Sequence, residues 1–214
     1  RDFDLLTLGQ VLLRLSPPNN ERLVRGDTFI KQVGGAELNV AVGVSLLGLH
    51  TGVISKLPSH DIGTFMKGKI RSYGISDDYF IYDKSPNARV GIYYYESGAY
   101  PRKPKVIYDR IGSSFYSLDI SEIPEDVYTA TRCFHTSGIT LALSPKIRET
   151  TIEMIKRFKA TGTIVSFDVN FRGNLWSGEE AKACIEQILP YVDIFFCSED
   201  TARLTFKKTG TAKE

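Results

Sequence analysis

Short runs of consecutive apolar residues alternate along the chain with stretches in which apolar positions recur every three or four residues. Phe3-Asp4-Leu5-Leu6-Thr7-Leu8 is an apolar run that ends at Gly9, the pattern of a buried strand. From Ala36 to Leu49, the residues Leu38, Val42, Ser45, Leu46 and Leu49 stand at helical spacing and Gly48 supplies a stop, which predicts a first core helix. Residues 51–56 read as a second strand, and Asp61 precedes a helix over about 62–73 that stops at Gly74. The alternation then returns. Residues 132–136 read as a strand, and residues 145–160 as a helix with Ile147, Thr151, Met154, Ile155 and Phe158 on one face. Residues 163–168 form a β-branched run, 179–189 a helix and 192–197 another apolar run. Near-continuous apolar strands separated by helices predict a parallel α/β sheet.

Two stretches break the rhythm. Residues 11–33 alternate apolar and polar positions and carry the turn Ser16-Pro17-Pro18-Asn19-Asn20. Residues 88–111 hold two extended runs, 90–95 and 105–110, around a Gly/Pro region at 98–104, the pattern of a hairpin. Both are expected to form a small β-sheet projecting from the core. With no internal repeat, low-complexity tract or linker, residues 1–214 are read as one domain.

Composition narrows the class. A hydrophobic fraction of 42% and a charged fraction of 24% are those of a globular chain. Lys and Arg (27) nearly balance Asp and Glu (25), so no global field points to nucleic acid or a membrane. The basic stretch 207–213 reads as a solvated surface segment. Cys133, Cys184 and Cys197 are widely spaced, form no metal-ligand pattern with the three histidines and are expected to be buried thiols. No apolar run approaches 18 residues and no leader is visible, which gives a cytoplasmic expectation.

Three places could carry chemistry. In Val33-Gly34-Gly35-Ala36-Glu37-Leu38-Asn39-Val40-Ala41, two glycines before a helix allow close backbone approach to a ligand and leave amides at the helix start. Asn39, one turn in, can donate to and accept from a hydroxyl. A plain strand-to-helix turn would show the same glycines, and no P-loop pattern occurs. Asp168-Val169-Asn170-Phe171-Arg172 ends a predicted parallel strand, where ligands of open α/β sheets lie, and Arg172 offers a fork of donors for an anion. The alternative there is a surface Asp168–Arg172 pair. In the hairpin, Tyr93 and Tyr108 could pack on a sugar face and Arg110 hold an anionic end, or the tyrosines could simply cover the sheet. His135 reads as a hydrogen-bonded structural residue.

Taken together, these segments resemble the ribokinase-like, or phosphofructokinase-B, carbohydrate kinases, and most closely their members acting on 2-keto-3-deoxygluconate. The likeness is carried by Gly9-Gln10-Val11-Leu12-Leu13-Arg14-Leu15-Ser16-Pro17, the Gly34-Gly35 segment, His135-Thr136-Ser137-Gly138-Ile139-Thr140, Ser166 to Arg172 and Leu175-Trp176-Ser177, and it runs over essentially the whole chain. The resemblance implies a parallel sheet with helices on both faces and a β-sheet lid. It implies sugar contacts from Gly34, Gly35, Asn39, Tyr93, Tyr108, Arg110 and Ile139. It places Asn170, Arg172 and Ser198 toward the nucleotide, with Arg172 stabilising the charge of the transferred phosphoryl group. It further implies ATP, Mg2+ and a homodimer formed through the lid.

The sequence departs from the family pattern in four ways. The Gly-Ala-Gly-Asp segment that supplies the family's anion hole and base is not found before Glu214, so the chain resembles the N-terminal two thirds of the domain. Gln10 stands where the family's sugar-acid kinases usually have a glutamate, so a charged contact becomes neutral there. Arg14 occupies a place acidic in ribose-specific members, which argues against ribose. Ser198-Glu199-Asp200-Thr201 replaces an Asn-x-x-Glu pattern linked to magnesium. The readings left open are a kinase of 2-keto-3-deoxygluconate, a fructokinase-like hexose kinase and a sugar-binding fragment without catalysis.

Overall fold

A computed structural model describes residues 1–211. The basic segment expected at 207–213 therefore lies partly outside the described residues; within them, Lys207 and Lys208 are exposed. The chain runs through β1 (Phe3–Leu8), β2 (Leu12–Ser16), β3 (Ile30–Gly34), α1 (Ala36–Leu46), β4 (Thr51–Pro58) and α2 (Asp61–Arg71). Next come β5 (Ile75–Ser76), β6 (Phe80–Asp83), β7 (Gly91–Glu96), β8 (Lys105–Asp109) and α3 (Val127–Ala130). It continues with β9 (Thr131–Ser137), α4 (Gly138–Ala142), α5 (Pro145–Ala160), β10 (Ile164–Asp168), α6 (Gly178–Ile188), β11 (Ile194–Phe196) and α7 (Glu199–Phe206).

The main sheet has the order β11-β10-β9-β1-β4-β5, with β6 also pairing β4, and its neighbouring strands are parallel. Alternate side chains feed two cores, as the period of a strand requires. On one face, Leu6, Ile54, Phe134, Val165 and Phe167 pack with Met154, Ile155 and Phe158 of α5 and Ile185 of α6. On the other, Val53 and Leu57 pack with Leu38 and Ala41 of α1 and Met66 and Ile70 of α2. The second sheet, β3-β2-β7-β8, is the expected lid. Its β7–β8 hairpin is antiparallel and pairs Tyr93 with Tyr108, while β2 joins β7 in parallel.

The helix α5 spans the expected residues, starts with Pro145 after a Ser144 cap and buries the expected face. Two expectations are corrected. Helix α1 is apolar on all sides, so its pattern did not mark the buried face: Glu37, Leu38 and Ala41 are buried, whereas Leu46, Leu47 and Leu49 are 79, 80 and 47% exposed. Among the cysteines, Cys184 is buried and Cys133 half-buried, but Cys197 follows the edge strand β11 and is exposed. Among the described residues no helix is long and apolar enough to cross a membrane.

Candidate functional site

The lid meets the core where β1 gives way to β2 and β3 gives way to α1. Strand β3 ends at Gly34, the chain turns at Gly35 with φ 153° and ψ 143°, and α1 begins with no side-chain cap. Both glycines are sites of close approach. A Cβ on Gly35 would lie 2.7 Å from the Gln10 carbonyl oxygen, and one on Gly34 would lie 2.4 Å from the Tyr93 hydroxyl. That hydroxyl and the first turn of α1, with its outward-pointing amides, line one cavity of about 380 Å³.

Three arginines, Arg14, Arg110 and Arg172, line the same cavity. Arg110, just after β8, is 8% exposed, and its Nε donates to Gln10 Oε1 at 2.8 Å. Gln10 is 3% exposed and donates through Nε2 to Ser113 Oγ at 2.6 Å. Burial is the main influence on Arg110 and lowers its pKa, opposed by nearby Tyr116, Tyr108 and Glu37. Arg14 of β2 stacks its guanidinium 4.3 Å from the ring centre of Tyr95 and donates from Nε to Ser16 Oγ. Arg172, after β10, is exposed and lines the cavity from the sheet side.

Glu37 is the acid among the cavity-lining residues, and it is 2% exposed. Its Oε1 accepts from Ser137 Oγ at 2.5 Å and Thr140 Oγ1 at 2.8 Å, which ties the start of α1 to the β9–α4 turn. Burial raises its pKa and outweighs those two hydrogen bonds and the charge of Arg110. Gly9 makes room for it, since a Cβ there would lie 2.2 Å from Glu37 Oε2.

Of the residues singled out from the sequence, Gly35, Asn39, Tyr93, Tyr108, Arg110, Ile139 and Arg172 line this cavity, and Gly34 lies directly beneath Tyr93. The rings of Tyr93 and Tyr108 are 5.9 Å apart, and Arg110 lies 5.4 Å over the Tyr108 ring. Asn170 and Ser198 lie outside the cavity lining. Asn170 has φ 37° and donates its amide to Asp168 Oδ1, while Ser198 is exposed and caps α7. Asp168 thus accepts from Asn170, and the guanidinium of Arg172 donates to the Phe171 carbonyl. His135 is buried, meets Ser166 Oγ at 2.9 Å and has its pKa pushed down to about 4 by burial, as a structural residue would.

Gln10, marked from the sequence as a departure from the family pattern, lines the cavity, as do Glu37 and Tyr95, which the sequence did not single out as binding residues. Glu37 stood inside the glycine motif, and an acid one turn from two glycines was the available signal. The Gln10–Arg110 link joins residues 100 positions apart and has no local signature.

The chain belongs to the pfkB family of carbohydrate kinases, whose model matches residues 2–214. It is 37% identical over 209 residues to a 2-dehydro-3-deoxygalactonokinase of Haloferax volcanii, covering 98% of this chain and 65% of that protein. It is 30% identical over 190 residues to a 5-dehydro-2-deoxygluconokinase of Clostridium botulinum, covering 88% of this chain and 55% of the relative. The fold is similar to the crystal structure of 2-dehydro-3-deoxygluconokinase from Thermotoga maritima, with a TM-score of 0.91, 32% identity, and coverage of 97% of this chain and 63% of that one. A sugar kinase of Pyrococcus horikoshii in complex with ATP matches with a TM-score of 0.83 at 25% identity over 95% of this chain and 66% of that one. The chain thus spans less than two thirds of the length of the first two relatives and of the Thermotoga protein.

Proposed function

We propose that the full-length protein transfers the terminal phosphoryl group of ATP to a hydroxyl of a 2-keto-3-deoxy sugar acid, and that residues 1–214 supply the sugar cradle. The observation that carries this reading is the charge of the cavity. Three arginines, Arg14, Arg110 and Arg172, line it together with a single acid, Glu37, whose proton is held more tightly than usual. A neutral hexose gives such a site nothing to neutralise, whereas a carboxylate pairs with a guanidinium fork. The relatives named for dehydro-deoxy sugar acids support the same substrate class.

In this reading Gly34 and Gly35 let the sugar approach the backbone, Asn39 and the first amides of α1 meet its hydroxyls, and Tyr93 and Tyr108 cover it from the lid. Ile139, at the start of α4, packs beside it. Arg110 takes the carboxylate. Arg172, exposed at the end of β10, stabilises negative charge on the transferred group, with Asn170 and Ser198 on the nucleotide side. Magnesium bound with the nucleotide would be held mostly by phosphates and water and would offset phosphate charge during transfer. Among the described residues no group of three or more His, Cys, Asp or Glu is placed to hold a metal. The base that accepts the sugar proton is assigned to the remainder of the full-length protein. Exposed Phe29, Ile30 and Ile107 on the lid suit a homodimer through that sheet.

A substrate panel tests the reading. The full-length protein with ATP and Mg2+ is expected to phosphorylate 2-keto-3-deoxygluconate or its galacto epimer, with kcat/KM at least about 100-fold above that for fructose. Equal or better use of fructose would make it a hexose kinase. Sugar binding without ATP-dependent transfer would make it a binding protein.

A further inference from the structure

Glu37 lines the proposed sugar cavity, yet the hydrogen bonds of its carboxyl join it to other parts of the wall. Its Oε1 accepts from the hydroxyls of Ser137 and Thr140, at 2.5 and 2.8 Å. Ser137 Oγ in turn accepts from the Ile139 amide at 3.2 Å and so caps α4. That hydroxyl has one proton; because it is donated to Glu37, the oxygen is left to accept, and each bond has a fixed direction. Gly9 confines the carboxyl on its other side, since a Cβ there would lie 2.2 Å from Oε2. The side chain thus bridges two walls of the cavity. One is the first turn of α1, with Gly35 and Asn39, and the other is the β9–α4 turn, with Ile139.

The β9–α4 turn also touches a third wall. A Cβ on Gly138 would lie 2.1 Å from the Val169 carbonyl oxygen, so the start of α4 rests on the segment that leads from β10 to Arg172. Helix α1, by contrast, begins after a glycine and has no side-chain cap, so its own first residues do little to fix where that turn sits. Resting on the sugar-kinase reading above, we infer that Glu37 is a positioning residue: through Oε1 it holds the α1 wall in register with Ile139 and, by way of Gly138, with Arg172. The role needs an acceptor and no charge. Both donors are neutral hydroxyls, and burial raises the pKa of the carboxyl and so favours its neutral form.

Substitutions in the full-length protein test this by calorimetric binding of two sugars and of a non-hydrolysable ATP analogue. The sugars are 2-keto-3-deoxygluconate and 3-deoxyfructose, its neutral counterpart with a hydroxymethyl group in place of the carboxylate. Glu37→Ala is expected to weaken both sugars alike, about 30-fold, and to leave nucleotide affinity within about twofold, because walls and not charge are displaced. Glu37→Gln keeps the acceptor and is expected to restore both sugars to within about threefold of wild type. Ser137→Ala removes the link to Ile139. It should cost about fivefold alone and add less than about twofold to Glu37→Ala, as for two residues acting through one path.

Sugar affinities within twofold of wild type in a folded Glu37→Ala protein overturn the inference, as does an equal loss of sugar and nucleotide affinity. A loss confined to the acid, or a Glu37→Gln protein as impaired as Glu37→Ala, overturns it too, because charge would then be at work. If Glu37→Ala lowers Tm too far to be assayed, Ser137→Ala decides, and unchanged sugar affinities there overturn it equally. A wild type that binds the two sugars alike overturns the sugar-acid reading and leaves this inference standing; one that binds neither overturns both.

Discussion

The two ends of the main sheet are finished to different degrees. Around β1 and β4 both faces are covered, by α1 and α2 on one side and by the α5 core on the other, and β4 is buried along its length. At β10 and β11 only one face is covered. Phe195 stacks on Phe167 and tilts against Phe206 yet stays 39% exposed, and Ile164, Ile194 and Phe196 are 47, 42 and 55% exposed. Leu5, Val40, Val44 and Phe196 frame a second cavity of about 360 Å³ on that bare face, with His135, Ser166 and Asp168 beside them. The proposed sugar cleft lies between the lid and the finished β1–β4 region, where Gln10 is bonded to Ser113 and Glu37 to Thr140, and Arg172 reaches it from beyond β10. In the proposed reading, sugar recognition is organised within this chain even though the sheet beside β11 is not enclosed.

Gly35→Ala should disturb the finished end most. Its φ of 153° is unfavourable for any side chain, and the new Cβ would press on the Gln10 carbonyl 2.7 Å away. A stability loss of about 2 kcal/mol and a loss of sugar affinity of about 100-fold are expected from calorimetry of ligand binding and of unfolding. A variant that binds as wild type would show that the turn does not shape the cleft.

Acid should act at the less finished end. Burial pushes the His135 pKa down to about 4 from an ordinary 6.5. The folded state therefore holds the proton less well than the unfolded chain, and stability present above pH 6.5 is lost as pH falls toward 4. The contribution is at most about 3 kcal/mol. His135→Gln, which can still meet Ser166, should flatten the fall of Tm across that window. An unchanged pH profile would place the acid sensitivity elsewhere.

The smallest effect on the site is expected from the edge itself. Ile194→Lys together with Phe196→Lys in residues 1–214 should reduce self-association, measured by light scattering, because exposed apolar edges invite pairing. Sugar affinity should stay within about twofold, the ordinary scale for distant surface changes. A parallel loss of affinity would mean that the two ends are coupled.

Legibility in the sequence followed the same division. Strand β10 was readable as a β-branched apolar run, and helix α5 because it has one period and one buried face. Helix α1 was readable as a helix, but its buried face was not, since apolar residues surround it and only three-dimensional contact selects Leu38 and Ala41. The two-residue strand β5 carries too few positions to show a period. In the site, the glycine turn and the lid tyrosines were visible as local patterns. The Gln10–Arg110 and Glu37–Ser137 bonds each cross 100 residues and became visible only once the lid and core were brought together.

The most direct test of the sugar-acid cradle is the binding of 2-keto-3-deoxygluconate and 3-deoxyfructose to the full-length Arg110→Ala variant. The account predicts a loss of about 100-fold for the acid, as for truncation of a buried charge-assisted contact, and less than about threefold for the neutral sugar. Equal affinities of variant and wild type for the acid would contradict it.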